Sequence, residues 1–367
     1  MDVTAVVVPS VGAEFELSTV DLADPGPGEV RIKIAGVGLC HTDLAVKEGH
    51  LPFPLPGVLG HEGSGVIEAV GPGVTTLAVG DRVAVSFNSC GECKWCRRDE
   101  PASCAAFMPL NFGGVRPDGT STVSIGGAPA GGNFFGQSSL ATHAIANVRN
   151  VVRVPDDVPL ELVGPLGCGV QTGAGAILNS LDVEPGASVV ISGAGSVGLS
   201  AVMAAAVRKA AHIVVVEPNA DRRTLAIELG ATAAIDPADG PVTEQLRAIV
   251  PDGFDYAADT TALVGVIGDL FGAMAIRGVI GLIGVPADPE ATFGLPLVPA
   301  SVLGISVRAI IEGDADPQTF IPHLLDLYKQ GVFPFDKLIT TMPLAEANEA
   351  VKAQLTGEAV KVVLLAD

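Results

Sequence analysis

Four of the six cysteines stand close together in the chain, at a spacing that suits a metal ion. They are Cys90, Cys93, Cys96 and Cys104. Four thiolates can close on one tetrahedral zinc ion and leave no open position, which makes a structural site. A redox Cys-x-x-Cys pair and an iron–sulfur cluster are the alternatives for these residue types. Zinc is favoured because the run is set in a loop and no proline follows Cys104.

The other two cysteines, Cys40 and Cys168, are isolated in the sequence, and each lies close to glycines. Isolated cysteines are ordinarily buried packing residues. A second interpretation arises because His61, in the run Gly60-His61-Glu62, can add an imidazole to the two thiolates. Three such ligands leave a fourth position on zinc for a substrate. Spacing alone does not decide between packing and metal binding.

A glycine-rich turn indicates a different chemistry, the binding of a dinucleotide. Gly193, Gly195 and Gly198 form G-x-G-x-x-G between a β-branched run and an alanine-rich helix. These glycines allow a tight turn, a close approach of backbone to pyrophosphate, and close packing of helix on strand. Glu217 ends the next predicted strand, where a carboxylate can accept both ribose hydroxyls and repel a 2′-phosphate. The pattern predicts NAD rather than NADP, with a solvated acid as the alternative for Glu217.

Two kinds of structure must position these residues. Up to about residue 155, short apolar runs alternate with glycine and proline turns, which predicts a β-rich region. From about residue 170, strand and helix patterns alternate, which predicts an α/β fold with a doubly wound parallel sheet. Helices are expected at Asp221–Leu229 and Glu244–Ile249, and two more helices and the strand Val360–Leu365 follow Glu312. The strands expected in the parallel sheet are Ser188–Ser192, Ile213–Glu217, Ala233–Asp236, Asp255–Ala258, Val279–Ile283 and Ser306–Ile310.

Length, composition and charge narrow the class of protein. A chain of 367 residues with 48% hydrophobic residues suggests two domains, at roughly 150 residues each. The net charge of −20 and the pI near 4.5 repel phosphate backbones, so nucleic acid and anionic membranes are poor partners. The mean hydropathy of +0.47 and the uncharged stretch 185–207 would suit a membrane-spanning helix. The glycine turn interrupts this stretch, so a buried strand, a turn and a buried helix are expected there instead. No signal peptide is visible, and a cytoplasmic protein is expected.

Taken together, these motifs resemble those of the zinc-dependent medium-chain alcohol dehydrogenases. The resemblance rests on Cys40-His41-Thr42-Asp43, Gly60-His61-Glu62, the four-cysteine run and Gly167-Cys168-Gly169, in order over essentially the whole chain. It implies a GroES-like β-barrel catalytic domain of residues 1–168 and 313–367, with a structural-zinc lobe at about 88–106. Residues 169–312 would form a Rossmann domain that binds NAD.

The resemblance also implies which residues act at the reacting end of the substrate. Cys40, His61 and Cys168 would hold a catalytic zinc, and Glu62 would lie beside the metal and bind it transiently. Asp43 would orient the ligand histidine, as such ligands usually require. The zinc would make a bound alcohol more acidic, and hydride would pass to the nicotinamide.

Proton and cofactor contacts are implied in the same way. Thr42 would take the alcohol proton first. Many relatives have a histidine three residues later, where this chain has Ala45, so the proton would leave through the ribose and water. The implied cofactor contacts are His41 and Lys361 at the pyrophosphate, Thr172 and Val197 at the nicotinamide, and Arg222 near the adenosine ribose. Arg222 weakens the case for NAD, because an arginine can also bind a 2′-phosphate.

A softer resemblance, to the bacterial aryl-alcohol dehydrogenases and above all the benzyl alcohol enzymes, indicates the substrate. It rests on Asn111–Gly114, Phe134–Ser139, Gly164–Gly169 and Phe333–Lys337. Six phenylalanines in the first part of the chain could line an apolar slot for an aromatic ring, with core packing as the alternative. They are Phe53, Phe87, Phe107, Phe112, Phe134 and Phe135.

The expected function is therefore the reversible, NAD-linked oxidation of an aromatic primary alcohol to its aldehyde, with a small molecule as the partner. An allylic terpene alcohol such as geraniol would suit the same apolar pocket. Less favoured alternatives are a short aliphatic alcohol, a thiol adduct of formaldehyde, and a zinc-bearing binding protein without activity. A homo-oligomer, dimer or tetramer, is expected because relatives pair through their cofactor-domain sheets.

Overall fold

The structure, a computed structural model, describes residues 1–288 and 290–366, which form two compact units. The first unit comprises Met1–Cys168, Asp316–Asp326 and the chain from Asp336 onward, and the second comprises Gly169–Ala315 and Leu327–Phe335. The predicted catalytic domain included all of 313–367, whereas residues 313–315 and 327–335 lie with the second unit. No helix within the described ranges has the length and apolar character that a membrane crossing needs.

Short β-strands build the N-terminal part of the first unit, as its alternation of apolar runs and turn residues predicts. The strands are β1 (Asp2–Val8), β2 (Glu16–Leu22), β3 (Glu29–Gly38), β4 (Gly57–Val58), β5 (Gly63–Val70), β6 (Arg82–Val85), β7 (Val123–Ile125), β8 (Ala128–Ala130), β9 (His143–Asn147) and β10 (Val151–Arg153). Two short helices, α1 (His41–Lys47) and α2 (Phe107–Phe112), lie between them.

The second unit alternates strand and helix. Its elements are α3 (Gly169–Gly175), β11 (Ser188–Ser192), α4 (Ser196–Val207), β12 (His212–Val216), α5 (Ala220–Glu228), β13 (Ala233–Ile235), α6 (Val242–Ile249), β14 (Phe254–Asp259), α7 (Val264–Ala273), β15 (Met274–Leu282), α8 (Leu297–Leu303) and β16 (Ser306–Ala309). The strands pair in parallel in the order β13-β12-β11-β14-β15-β16, which confirms the predicted doubly wound sheet. The apolar side chains of the central strands β11 and β12 are buried on both faces, as a parallel sheet covered by helices requires.

The chain then returns to the first unit and completes its larger sheet. The last elements are α9 (Pro317–Lys329), β17 (Ile339–Pro343), α10 (Ala347–Thr356) and β18 (Lys361–Leu365). Strand β18 pairs with β3 and gives the order β10-β6-β5-β3-β18-β17, with β9 also on β3. The other sheet has the order β4-β1-β2-β7-β8. The two sheets enclose one apolar core, in agreement with the predicted partly closed barrel.

Candidate active site

The structure brings together the predicted ligands of the catalytic zinc. Cys40, His61, Glu62 and Cys168 are all buried, and one potential ligand atom from each lies within 4.8 Å of the others. Cys40 immediately precedes α1, while His61 and Glu62 connect β4 to β5. Cys168 follows the tight 3-10 turn Gly164–Gly167. They come from three separate segments of the chain, which meet only in the folded first unit.

Glycines around the ligands allow this close assembly. Gly60 has a φ of +89°, and a Cβ there would lie 2.4 Å from the backbone nitrogen of Leu140. A Cβ at Gly164 would lie 2.1 Å from the carbonyl oxygen of Glu62. Any larger residue at either place would push the ligand-bearing segments apart.

Asp43 connects two of the predicted ligands. One of its carboxylate oxygens accepts the backbone N–H of Cys40 at 3.0 Å. The other accepts the N–H of Gly60 at 2.9 Å and lies 3.1 Å from Nδ1 of His61. Because Asp43 is fully buried, this arrangement fixes the ring and directs Nε2 away from the carboxylate. The predicted contact between Asp43 and His61 is confirmed.

The free ring nitrogen and the charges around it suit a bound cation. By distance and angle, Nε2 of His61 makes no hydrogen bond to any group in residues 1–288 and 290–366, although it is buried. Burial alone would lower the pKa of His61, but the negative charges of Asp43 and Cys40 outweigh it and raise that pKa. A hydrogen bond from Cys168 lowers the pKa of Cys40 in spite of burial. A buried thiolate beside an unbonded imidazole nitrogen is the donor set that zinc prefers.

Glu62 is held beside these ligands by a buried ion pair. The ammonium of Lys361 donates to both carboxylate oxygens at 2.9 Å and to the carbonyl oxygen of Leu39 at 3.0 Å. Burial raises the pKa of Glu62 to about 7, and the charge of Lys361 opposes that shift. A Cβ at Gly38 would lie 2.0 Å from Glu62 Oε2, so the carboxylate occupies space that only glycine leaves.

Thr42, the predicted proton acceptor, lies close to the cluster. Its hydroxyl oxygen is 3.7 Å from the sulfur of Cys40, and its side chain is half-buried. Cys40 before α1 and Thr42 in its first turn therefore present a thiol and a hydroxyl to the same place. A hydroxyl there can exchange a proton with a molecule bound at the metal position.

The four cysteines of the predicted structural-zinc lobe also lie together. One sulfur from each of Cys90, Cys93, Cys96 and Cys104 lies within 4.8 Å of the others, and all six cysteines of the chain, each of them described, are outside disulfides. Backbone N–H groups point at the sulfurs, as that of Cys93 does toward Cys90 at 3.4 Å. A hydrogen bond from the backbone N–H of Cys96 lowers the pKa of Cys93 to about 6. The lobe offers four sulfurs and can close fully around a tetrahedral ion.

Loss of one lobe sulfur is expected to destabilise the first unit. We expect Cys96→Ala to lower Tm by about 10 °C or more, because structural zinc contributes many kcal/mol and each 1 kcal/mol corresponds to roughly 2–4 °C. Ser103→Ala, at an exposed position of the same lobe, is the control and should leave Tm unchanged. Thermal melting and zinc content measure both, and an unchanged Tm in Cys96→Ala would contradict the structural role.

The glycine-rich turn has the geometry of a phosphate-binding turn. Gly193 has a φ of +87°, and a Cβ there would lie 2.6 Å from the Thr260 hydroxyl. A Cβ at Gly198 would lie 1.9 Å from the carbonyl oxygen of Gly193. At Gly195, which immediately precedes α4, a Cβ would meet no described atom within 4 Å. The first and third glycines therefore serve packing, whereas the second leaves open space at a helix N-terminus.

A pocket of about 570 Å³ lies next to this turn, at the carboxyl ends of β11 and β12. Gly193, Glu217, Thr261 and Asp269 are among the residues that line it. Glu217 directly follows β12, and its carboxylate accepts the N–H of Ala194 at 2.7 Å and that of Asn219 at 2.9 Å. The carboxylate is thereby fixed at the mouth of the turn, where open α/β sheets bind their ligands.

The other predicted cofactor contacts are distributed over both units. Arg222 lies in the first turn of α5, where its backbone N–H donates to Asn219 Oδ1. Thr172 lies in α3 and Val197 in α4, and both are half-buried. In the first unit His41 is exposed, whereas Lys361 is buried, with the three acceptors described above around its ammonium. Their roles toward a dinucleotide stay predictions.

One residue of the site was missed from the sequence. Gln137 is buried, accepts the N–H of Gly63 at 3.1 Å and donates to the carbonyl oxygens of His61 at 2.8 Å and Ser86 at 3.1 Å. It therefore holds the backbone on both sides of Glu62. In the sequence, Gln137 follows Phe134 and Phe135 in a run that carries the resemblance, and an amide close to two aromatic residues is the signal that could have indicated a buried, hydrogen-bonded side chain.

Comparison with known proteins agrees with this geometry. An alcohol dehydrogenase GroES-like domain matches residues 26–156, and a zinc-binding dehydrogenase domain matches residues 196–330. A geraniol dehydrogenase from Castellaniella defragrans is 49% identical over 363 residues, 98% of this chain and 97% of that protein. Benzyl alcohol dehydrogenase from Acinetobacter calcoaceticus superposes with a TM-score of 0.97 at 40% identity, over all of both chains. An alcohol dehydrogenase zinc-binding domain protein from Burkholderia ambifaria also gives 0.97, at 43% identity over 100% of this chain and 99% of that one. This chain belongs to the zinc-dependent medium-chain alcohol dehydrogenases.

Proposed function

We propose that the protein oxidises an aromatic primary alcohol of the benzyl type to its aldehyde, reversibly, with NAD as the hydride acceptor. The observation that carries the proposal is the buried meeting of Cys40, His61 and Cys168, with Nε2 of His61 unbonded and the Thr42 hydroxyl alongside. Two thiolates and one imidazole would leave one position of a zinc ion to a substrate.

Different residues of this chain would hold the metal and accept the proton. Cys40, His61 and Cys168 would hold the catalytic zinc, and Glu62 would stay beside it on Lys361. The metal would supply Lewis-acid polarisation of the alcohol oxygen, and the cofactor would supply the hydride acceptor. Thr42 would accept the hydroxyl proton, so that the alcohol loses one proton and one hydride in becoming the aldehyde. A second zinc per chain would occupy the four-cysteine lobe.

NAD is proposed over NADP because of Glu217. Its carboxylate stands at the end of β12, held by the N–H groups of Ala194 and Asn219, and lines the pocket beside the glycine turn. A negative charge at this place accepts ribose hydroxyls and opposes a 2′-phosphate. Two cations offset part of this charge in the following helix: Arg222, the predicted ribose contact, and Arg223, which donates to the carbonyl oxygen of Glu217 at 2.8 Å.

Removal of this carboxylate is expected to weaken NAD binding. We expect Glu217→Ala to raise KM for NAD by about 10- to 100-fold, since a hydrogen bond to a charged group contributes about 1.5–3 kcal/mol. The ratio of kcat/KM with NAD to kcat/KM with NADP should fall as well. Glu228→Gln, an exposed acid at the end of α5, is the matched control. Initial rates measured at varied concentrations of each cofactor give these KM values. An unchanged KM for NAD in Glu217→Ala would show that Glu217 does not bind the cofactor.

The benzyl-type substrate is supported by the relative from Acinetobacter calcoaceticus, which shares the whole fold at 40% identity. Within this chain, Phe53 and Phe112 are half-buried, and both contact Phe134 edge to face, at 5.1 and 5.6 Å between ring centroids. Aromatic edges and faces of this kind suit another aromatic ring.

Geraniol is the second candidate, and a specific observation favours it. The geraniol dehydrogenase from Castellaniella defragrans is 49% identical to this chain, more than the benzyl alcohol enzyme. Benzylic and allylic alcohols share a carbinol carbon attached to an unsaturated carbon, so one apolar pocket can accept both. The zinc and cofactor assignments are the same for either substrate.

Substrate comparison tests the proposal. We expect kcat/KM for NADH formation with benzyl alcohol to exceed that with hexanol by tenfold or more, about 1.4 kcal/mol in transition-state binding. Geraniol clearly ahead of benzyl alcohol would move the substrate to allylic terpenoids and keep the catalytic residues. No activity with any of the three in zinc-loaded protein would overturn the assignment and favour a thiol-adduct substrate or a binding protein.

We also propose that the protein is a cytoplasmic homo-oligomer. All six cysteines are outside disulfides and are assigned as metal ligands, which favours a reducing compartment. Strand β16 is exposed along its length at the edge of the parallel sheet, and the preceding helix α8 exposes Leu297, Val298 and Val302. A second copy of β16 could cover this edge and its apolar neighbours. Light scattering that gives the mass of one chain would contradict this proposal.

A further inference from the structure

The six early phenylalanines form one connected cluster of rings rather than separate packing residues. Phe53 and Phe112 contact Phe134, Phe107 and Phe112 contact Phe135, and Phe134 contacts Phe135, all with centroids 4.9 to 6.1 Å apart. Phe87 joins through Phe107 at 5.7 Å. The predicted apolar slot is thus occupied largely by the rings themselves, and Phe134 and Phe135 are buried.

Two rings of this cluster contact the imidazole of His61. Phe135 stacks on it, with centroids 4.5 Å apart and planes 26° apart, and Phe134 meets it edge to face at 5.3 Å and 86°. The contact of Nδ1 with Asp43 holds one edge of the imidazole, and the remaining motion of the ring is a rocking about its Cβ–Cγ bond. The stacked ring of Phe135 fixes the plane in which Nε2 points.

The backbone of Phe135 is held in a conformation that phenylalanine rarely adopts. Its φ of +51° and ψ of +33° lie in the left-handed region, where a bulky side chain is disfavoured. The amide of Asn150 donates to the carbonyl oxygens of Phe135 at 3.2 Å and Gly136 at 3.3 Å. The Ser138 hydroxyl accepts the N–H of Phe134 at 2.8 Å. Strain that is maintained by buried hydrogen bonds is a mark of a functional constraint.

The same cluster extends to the four-cysteine lobe. Helix α2 begins three residues after Cys104, and the N–H of Phe107 donates to the carbonyl oxygen of Cys104 at 2.9 Å. Phe107 at the start of this helix and Phe112 at its end both meet Phe135, at interplanar angles of 88° and 64°. Continuous ring contacts therefore connect the lobe to His61.

We propose that Phe135 is a positioning residue for the catalytic metal: it fixes the plane of the His61 imidazole, and Phe107 transmits the order of the four-cysteine lobe to it. The inference rests on the zinc site proposed above. It accounts for both the left-handed backbone of Phe135 and the direct junction of α2 with the last lobe cysteine. Packing alone would require neither the parallel stacking on His61 nor the backbone strain.

The test is made on the whole enzyme with cobalt at the catalytic site and zinc kept in the lobe. We expect Phe135→Leu to alter the ligand-field absorption of the cobalt and to speed release of that cobalt to a chelator by about 10-fold, as loss of a group that orients a metal ligand does. Phe107→Leu should change the cobalt absorption and the rate of metal release in the same direction, by a smaller amount. Phe87→Leu, a buried ring of the same cluster without contact to His61, should leave both unchanged while lowering Tm.

Metal content and the behaviour of the variants distinguish failure of the zinc assignment from failure of the role of Phe135. A wild-type protein that holds no metal at Cys40, His61 and Cys168 would defeat the zinc assignment itself. Metal-loaded Phe135→Leu with the spectrum and release rate of the wild type would overturn the positioning role. An effect of Phe135→Leu with none of Phe107→Leu would overturn the transmission from the lobe. If Phe135→Leu does not fold, Phe135→Met takes its place, with the same expected results.

Discussion

Replacement of His61 by glutamine is expected to lower kcat/KM by at least about 10³-fold and to leave the protein one zinc ion short. The imidazole is fixed by Asp43 at 3.1 Å, and its unbonded Nε2 is the nitrogen available to the metal. Lewis-acid polarisation contributes several kcal/mol, and about 1.4 kcal/mol corresponds to a factor of ten in rate. Steady-state rates and metal content measured on the same sample test this expectation.

The matched control is His50→Gln. His50 is exposed in the loop after α1 and has no predicted role in metal binding. It should keep both zinc ions and the rate of the wild type. Retention of both zinc ions and of full activity in His61→Gln would contradict the metal assignment, whatever the control shows.

Replacement of Thr42 by alanine is expected to lower kcat by about 10²-fold or more, within the range for loss of a general acid–base group. The hydroxyl lies 3.7 Å from the Cys40 sulfur and is the first group that can take the alcohol proton. Metal content should stay the same, because Thr42 is not a ligand. Rapid-mixing measurement of NADH formation separates this chemical step from product release.

Thr42→Ser distinguishes proton transfer from packing. Serine keeps the hydroxyl and loses only a methyl group, so most of kcat should return. Equal losses in the serine and alanine variants would indicate a packing role. An unchanged kcat in Thr42→Ala would remove the residue from the proton path.

Local sequence patterns predicted most strands of the parallel sheet. The β-branched run Ser188–Ser192 was predicted with its observed bounds, because a buried parallel strand between turn residues has a clear signature. β15 was predicted to begin at Val279 but begins at Met274. Of the extra residues, Met274 pairs with Phe254 of β14 before a register shift, and Arg277 has a φ of +66°. Irregular pairing of this kind depends on the neighbouring strand and leaves no periodic pattern.

The site was predictable where residue type alone restricts the chemistry. Cysteine and histidine have few other uses in such spacing, and the structure brings the predicted sets together. The environment of Lys361 was not predictable, because its partner Glu62 is 299 residues away in the sequence. The stacking of Phe135 on His61 was missed for the same reason. Phenylalanine is an ordinary core residue, and only tertiary structure shows which ring it contacts.

Dependence of hydride transfer on the catalytic zinc is tested by following NADH formation from NAD and the better of benzyl alcohol and geraniol while a chelator withdraws zinc. We expect turnover to be lost as the metal leaves and to return when zinc is added back to protein that has stayed folded. Full turnover in folded, metal-depleted protein would contradict a zinc-dependent hydride transfer at Cys40, His61 and Cys168.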